Sequence, residues 1–93
     1  GIALNADSAG ITLAGEEPGL TLAEAIASVA HFHISEVELA PIGAGSVSHD
    51  SFAAALRSVA YPHWTSVEMR PPPRETRRDI LSRALRTAVE TYS

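Results

Sequence analysis

Cysteine is absent from the 93 residues, and so is lysine. The first absence excludes disulfides and thiolate metal sites and fits a reducing compartment. No apolar run approaches the ~20 residues needed to cross a bilayer. Nothing at the N-terminus reads as the charged, apolar and small-residue succession of a signal peptide. The expectation is a soluble, cytoplasmic protein that binds no membrane. Net charge is −4, unevenly spread. Residues 1–69 carry eight acids against Arg57 alone, whereas residues 70–93 carry six arginines against Glu75, Asp79 and Glu90. That basic stretch coincides with one amphipathic helical pattern. It reads as a solvated helix face, without the interleaved polar and aromatic contacts of a nucleic-acid surface.

What is present is an alternation. Ile2–Ala6 is short and apolar and runs into Asp7-Ser8-Ala9-Gly10, a strand entering a loop. Thr21-Leu22-Ala23-Glu24 has the form of a capping box, and Leu22, Ile26 and Val29 repeat at helical spacing behind it. This predicts a helix over 21–30. His31–Ser35 reads as a second strand, followed by a loop broken at Pro41, Gly43 and Gly45. Ser48 is a candidate N-cap for a helix over 49–59 with Phe52, Leu56 and Val59 on one face. Trp64–Met69 is rich in β-formers, and Pro71-Pro72-Pro73 stops it. The last helix spans 75–91, with Leu81, Ala84, Leu85 and Ala88 as its buried stripe.

Strands alternating with helices imply an α/β fold with a parallel sheet, and parallel strands are expected to be buried on both faces. Three such units leave unpaired ladder groups along both outer strands. The 93 residues are therefore expected to be one part of a single larger domain, or to be completed by another chain.

In parallel α/β architectures, sites form at the carboxyl ends of the strands. Asp7 lies at the end of the first strand, His33 and Glu36 in and just past the second, and Glu68 near the end of the third. Carboxylate oxygens with an imidazole nitrogen suit Mn, Mg, Co or Zn as divalent ions. Taken singly, each has a plainer role: Asp7 as a turn former, His33 as a core histidine. Glu68 fits such a role least, because an unpaired buried carboxylate is costly. Two other motifs fail. Ser48-His49-Asp50 has the residue types of a hydrolase triad, but neighbours at a helix start diverge by ~100° each. Gly43-Ala44-Gly45 lacks the third glycine of a dinucleotide fingerprint.

Three stretches carry a resemblance. They are Leu4-Asn5-Ala6-Asp7-Ser8, then His31-Phe32-His33-Ile34-Ser35-Glu36 with Pro41-Ile42-Gly43-Ala44-Gly45-Ser46-Val47, then Ala60-Tyr61-Pro62-His63-Trp64-Thr65-Ser66-Val67-Glu68. Together they resemble the sixth, seventh and eighth units of the xylose-isomerase-like TIM barrels, the sugar phosphate isomerase/epimerase family. The resemblance implies that residues 1–93 are the last three βα units of a (β/α)8 barrel, with Asp7, His33 and Glu68 as metal ligands. It implies that Glu68 also moves the carbon-bound proton. Glu36 and Arg70 are candidate substrate contacts; Glu36 is also read as a support for His33 and, equally, as a loop-start carboxylate in water, and Arg70 as a partner of Glu68 or of a substrate phosphate and, more plainly, as a rim cation. The family's fourth ligand, a strand-four glutamate, would fall upstream of Gly1, so the chain alone is expected to be inactive. Two family positions differ. Gly10 stands where ketose 3-epimerases carry a histidine, and Leu39 where they carry an arginine.

The function so implied is a metal-dependent isomerase or epimerase acting on a small sugar, sugar acid or polyol by proton transfer at carbon. The alternatives are a dehydratase or lyase on the same scaffold, an endonuclease IV-like phosphodiesterase, and a non-catalytic barrel fragment or interaction module. The implied partners are a sugar or polyol and the remaining barrel units, on this or another chain, with room for a homo-oligomer. Nucleic acid is not among them.

Overall fold

The structure is a computed structural model, and it describes residues 4–25 and 29–93. Expectations that fall on Ile2, Ala3, Ile26 and the side chain of Glu24 lie outside the described residues.

The chain starts with strand β1 (Leu4–Asp7) and passes at once into helix α1 (Ser8–Leu13). Asp7 is extended, and its carboxylate accepts from the Gly10 N–H, which makes it the N-cap of α1. A loop was expected here; six residues with a glycine among them show no helical stripe. Helix α2 (Pro18–Ala25) begins a turn before the supposed capping box. Pro18 takes the first helical position, where its missing N–H costs nothing. The Glu17 carboxylate accepts from the Leu20 N–H at 2.7 Å. Thr21 lies inside the helix, and its hydroxyl donates to Glu16 at 2.8 Å. Since α2 ends at Ala25, Val29 belongs to the next strand and not to a helical stripe.

Strand β2 (Val29–Ser35) pairs in parallel with β1 and with β3 (Thr65–Glu68), in the order β1-β2-β3. Leu4 pairs with Val29 but Asn5 with His31, so Ala30 is an extra residue, a bulge. The bulge explains a broken alternation. Val29, Phe32 and Ile34 are all buried, although 29 and 32 differ by an odd number. Sequence periodicity therefore placed the strand start two residues late.

The sheet has two unlike faces. Phe32 and Ile34 lie under α2, α3 (His49–Ser58) and α4 (Arg77–Tyr92), in one cluster with Leu22, Phe52, Leu56 and Ala84. Each large apolar side chain in that cluster contributes ~1.5–3 kcal/mol on burial. The opposite face carries His31 and His33, which are only partly covered. Burial on both faces was expected; within this chain, helices cover one.

Ala84 and Ala88 of α4 are buried as predicted, but Leu85 is 52% exposed and Val89 61%. Both line a groove with Ile34 and Val67 on the free side of β3. No further described element packs there, so the predicted stripe of α4 is only half covered. Ser48 precedes α3 without a side-chain cap; its hydroxyl bonds Ser51 instead, at 2.9 Å. Charge along α4 runs against its macrodipole. Arg77 and Arg78 open the helix, and its last turn holds no basic residue. Among the described residues, no helix is long and apolar enough to cross a membrane.

Candidate functional site

Three parallel strands bring their carboxyl ends to one edge of the open face. Register sets Asp7 beside His33, His33 beside Ser66, and Ser35 beside Glu68. Strand alternation then aims His31, His33, Ser66 and Glu68 to one side. His33 Nδ1 meets Glu68 Oε2 at 2.8 Å, with the two side chains 31% and 50% exposed. His31 Nε2 meets the Ser66 hydroxyl at 2.7 Å. The two imidazoles stand edge to face, 4.8 Å apart. A neutral His33 that donates Nδ1–H to Glu68 keeps its Nε2 lone pair free. Such a carboxylate–histidine pair fixes the orientation of the ring.

Asp7 stands on the adjacent strand end, but its carboxylate is turned to Gly10. A Cβ at residue 10 would sit 2.8 Å from Asp7 Oδ1, so glycine permits that close approach. Two of the three expected ligands therefore meet and the third is occupied by a helix cap. Among the described residues, no group of three His, Asp or Glu side chains is gathered to hold a metal ion.

Glu36 goes elsewhere. Its side chain is fully covered. Oε1 accepts from the Val47 N–H at 3.1 Å; Oε2 accepts from the Gly43 N–H at 2.9 Å and from His49 Nε2 at 2.8 Å. With Nε2–H donated to Glu36, His49 Nδ1 is left to accept from the Tyr92 hydroxyl at 2.7 Å. Burial raises the Glu36 pKa, but the Val47 and Gly43 amides and His49 outweigh it and hold the carboxyl below its ordinary range. Burial drives the Tyr92 phenol the other way, well above its usual value. A Cβ at Gly45 would overlap the Glu36 carboxylate, so only glycine lets the loop close on it. Glu36 thus has no surface to offer a substrate in this arrangement.

His49 and Tyr92 were not legible as a pair, being 43 residues apart. The usable signal was Gly45, two residues after Gly43 and downstream of a glutamate closing an apolar strand. A second buried link joins Ser8 to Ser35. The Ser8 hydroxyl donates to the Ser35 carbonyl at 2.7 Å and accepts from its N–H at 2.9 Å, which pins α1 to the end of β2. Beyond β2, Val37–Leu39 forms a 3-10 turn. Glu38 and Leu39 hold left-handed φ of 59° and 57°, a strain of order 1 kcal/mol or more each. The Leu39 carbonyl accepts from the Arg70 N–H at 2.7 Å, so the loops after β2 and β3 are tied together. The Arg70 side chain is exposed.

The architecture is the predicted one: a parallel α/β sheet that corresponds to part of a TIM barrel. Two solved structures share it, both of D-allulose 3-epimerase from Methylomonas sp., a xylose-isomerase-like barrel. One carries additional C-terminal residues; it has 19% sequence identity and a TM-score of 0.80 over 96% of this chain. The other is a complex with D-allulose; it has 20% identity and a TM-score of 0.77 over 97% of this chain. This chain spans 37% of the length of each. No family model matches the sequence, and no curated protein matches it either.

Proposed function

We propose that this chain forms part of the catalytic rim of a sugar isomerase or epimerase, acting on a small sugar, sugar acid or polyol. The observation that carries the reading is the His33–Glu68 contact at the carboxyl ends of parallel strands. The shared fold with two D-allulose 3-epimerase structures supports it. On this reading Glu68 takes and returns the carbon-bound proton, a role that needs a carboxylate near water and near a second polar group. His33 holds Glu68 in place and presents a free ring nitrogen beside it. Arg70, two residues past Glu68, meets a polar group of the substrate. Glu36 acts from below by fixing the loop over the rim.

The donor set fits a divalent metal in type, with one imidazole and two carboxylates on adjacent strand ends. Asp7 must release Gly10 to join His33 and Glu68. A cation held by these three residues would polarise neighbouring substrate oxygens. The free edges of β1 and β3 and the exposed Leu85 and Val89 would be covered by the other barrel units, on this polypeptide or another. Without them the 93 residues would be inactive. A cytoplasmic location belongs to the same reading and rests on the lack of cysteine.

The test uses the assembled enzyme. Its preparations should hold one divalent ion per site and exchange a sugar carbon-bound proton with D2O. Glu68→Gln should abolish the exchange, and His33→Ala should lose both metal and exchange. Full exchange in Glu68→Gln would refute the assignment.

A further inference from the structure

We propose that His31 is a positioning residue of the rim. It occupies the Ser66 hydroxyl and so keeps His33 turned to Glu68. The effect on proton exchange rests on the rim function proposed above; the effect on His33 itself does not.

Both histidines of β2 lean forward along the strand. In register, His33 stands across from Ser66, and Ser35 across from Glu68. His33 nevertheless meets Glu68, two residues beyond its register partner, at 2.8 Å. His31 meets Ser66 at 2.7 Å. Both contacts span 35 residues, so the two imidazoles reach equally far toward the carboxyl end of β3.

That lean sets up a competition. Ser66 is the cross-strand neighbour of His33, and adjacent strands lie only ~4.8 Å apart. A hydroxyl both donates and accepts, so it suits either ring nitrogen. Asp7, the neighbour of His33 on the other side, is turned to Gly10. The Ser66 hydroxyl is therefore the alternative partner for the His33 ring, and His31 already holds it. The His31 ring also stands at 90° to that of His33 with centroids 4.8 Å apart, within the favoured range for edge-to-face packing. One side chain thus takes up the competing hydroxyl and supports the ring that would turn to it.

The residue types point the same way. Barrels of this architecture fill their interior mainly with bulky branched side chains, and the open face becomes interior once further units close on it. A histidine and a serine at that level bring polar groups that must be desolvated, which Val or Ile would not. Both are only partly covered in this chain. Their presence makes sense where their bond performs a task closed to an apolar pair, and selecting the partner of His33 is such a task. With Nδ1 held by Glu68, the free Nε2 of His33 points in one direction. A ring bonded to Ser66 would aim it elsewhere and leave Glu68 without its support.

Ring 15N–1H spectra of the histidine-labelled chain, free of metal, test the positioning. The His33 ring signal should move on Glu68→Gln, as expected of a ring bonded to that carboxylate. H31A should abolish this response, because the ring turns to the freed hydroxyl. H31A/S66A should restore it, since the competitor is gone, and S66A alone should retain it. H31V, with a short side chain that favours strands, should act as H31A and decides the case if H31A fails to fold. In the assembled enzyme, H31A should lower kcat for carbon-bound proton exchange about tenfold with KM held within about twofold, and H31A/S66A should recover to within about threefold of wild type. The positioning role is overturned if the His33 signal keeps its response to Glu68→Gln in H31A or H31V. It is equally overturned if H31A/S66A is no better than H31A, the additive result of a merely structural loss. Absence of exchange in the wild-type enzyme would refute the rim function, while the ring spectra still decide the positioning.

Discussion

Two histidine–carboxylate pairs of this molecule have the same length and opposite surroundings. His33 meets Glu68 at 2.8 Å on an open sheet face, and His49 meets Glu36 at 2.8 Å with side chains 7% and 0% exposed. The open pair spends little of its bonding capacity, with ring nitrogen and carboxylate oxygen still free for a ligand. The closed pair spends nearly all of it on the Gly43, Val47 and Tyr92 groups. Distance alone therefore does not separate a working pair from a structural one. The number of remaining acceptors and their access to water does.

The largest effect should come from breaking the closed pair. Glu36→Ala leaves His49 and two amides without an acceptor, and should destabilise the fold by about 3–5 kcal/mol, read as a lower urea midpoint. Next is Gly45→Ala, whose methyl must displace the Glu36 carboxylate or the loop. A loss of about 1–3 kcal/mol is expected, with the Gly43 and Val47 amides exchanging faster with deuterium. Acid should then separate the pairs. The Glu36 carboxyl is held below its ordinary value of 4.5 in the folded chain, so the unfolded chain binds the proton more readily. The stabilisation is present above pH 4.5 and is lost as pH falls through the lower, folded value. Acid unfolding curves should show this limb, and Glu36→Gln should flatten it; an unchanged limb would mean that the carboxylate is not held as described. Smallest is Glu68→Gln, which should shift stability by no more than about 0.5 kcal/mol because exposed pairs contribute little. A larger loss would place Glu68 in the closed class and remove it from the rim.

Much of the fold was legible because periodicity survives where an element is long. Phe52 and Leu56 marked α3, and Ala84 and Ala88 marked α4, because one side of each helix meets β2. The neighbouring Leu85 misled, since its side of α4 borders a free strand edge and local spacing carries no information about what lies beyond. Helix α1 was hidden by its six residues, and Thr21 imitated a cap that Pro18 and Glu17 supply. For the candidate site, the strand-end placement of Asp7, His33 and Glu68 followed from the alternation alone. The cap formed by Asp7 and the closed triad of Glu36, His49 and Tyr92 did not, because both depend on side-chain direction and on contacts across the whole chain.

The bulge at Ala30 works as a frame shift within one strand. By holding one residue out of step, it lets an apolar anchor at Val29 and two same-side imidazoles at His31 and His33 coexist in seven residues. Deleting Ala30 would force a choice: Val29 turned to water, or both rings driven under the helices. Searches for kin of this strand should accordingly allow a one-residue slip at that point, because a gapless comparison would set its two halves against opposite sides of any regular counterpart.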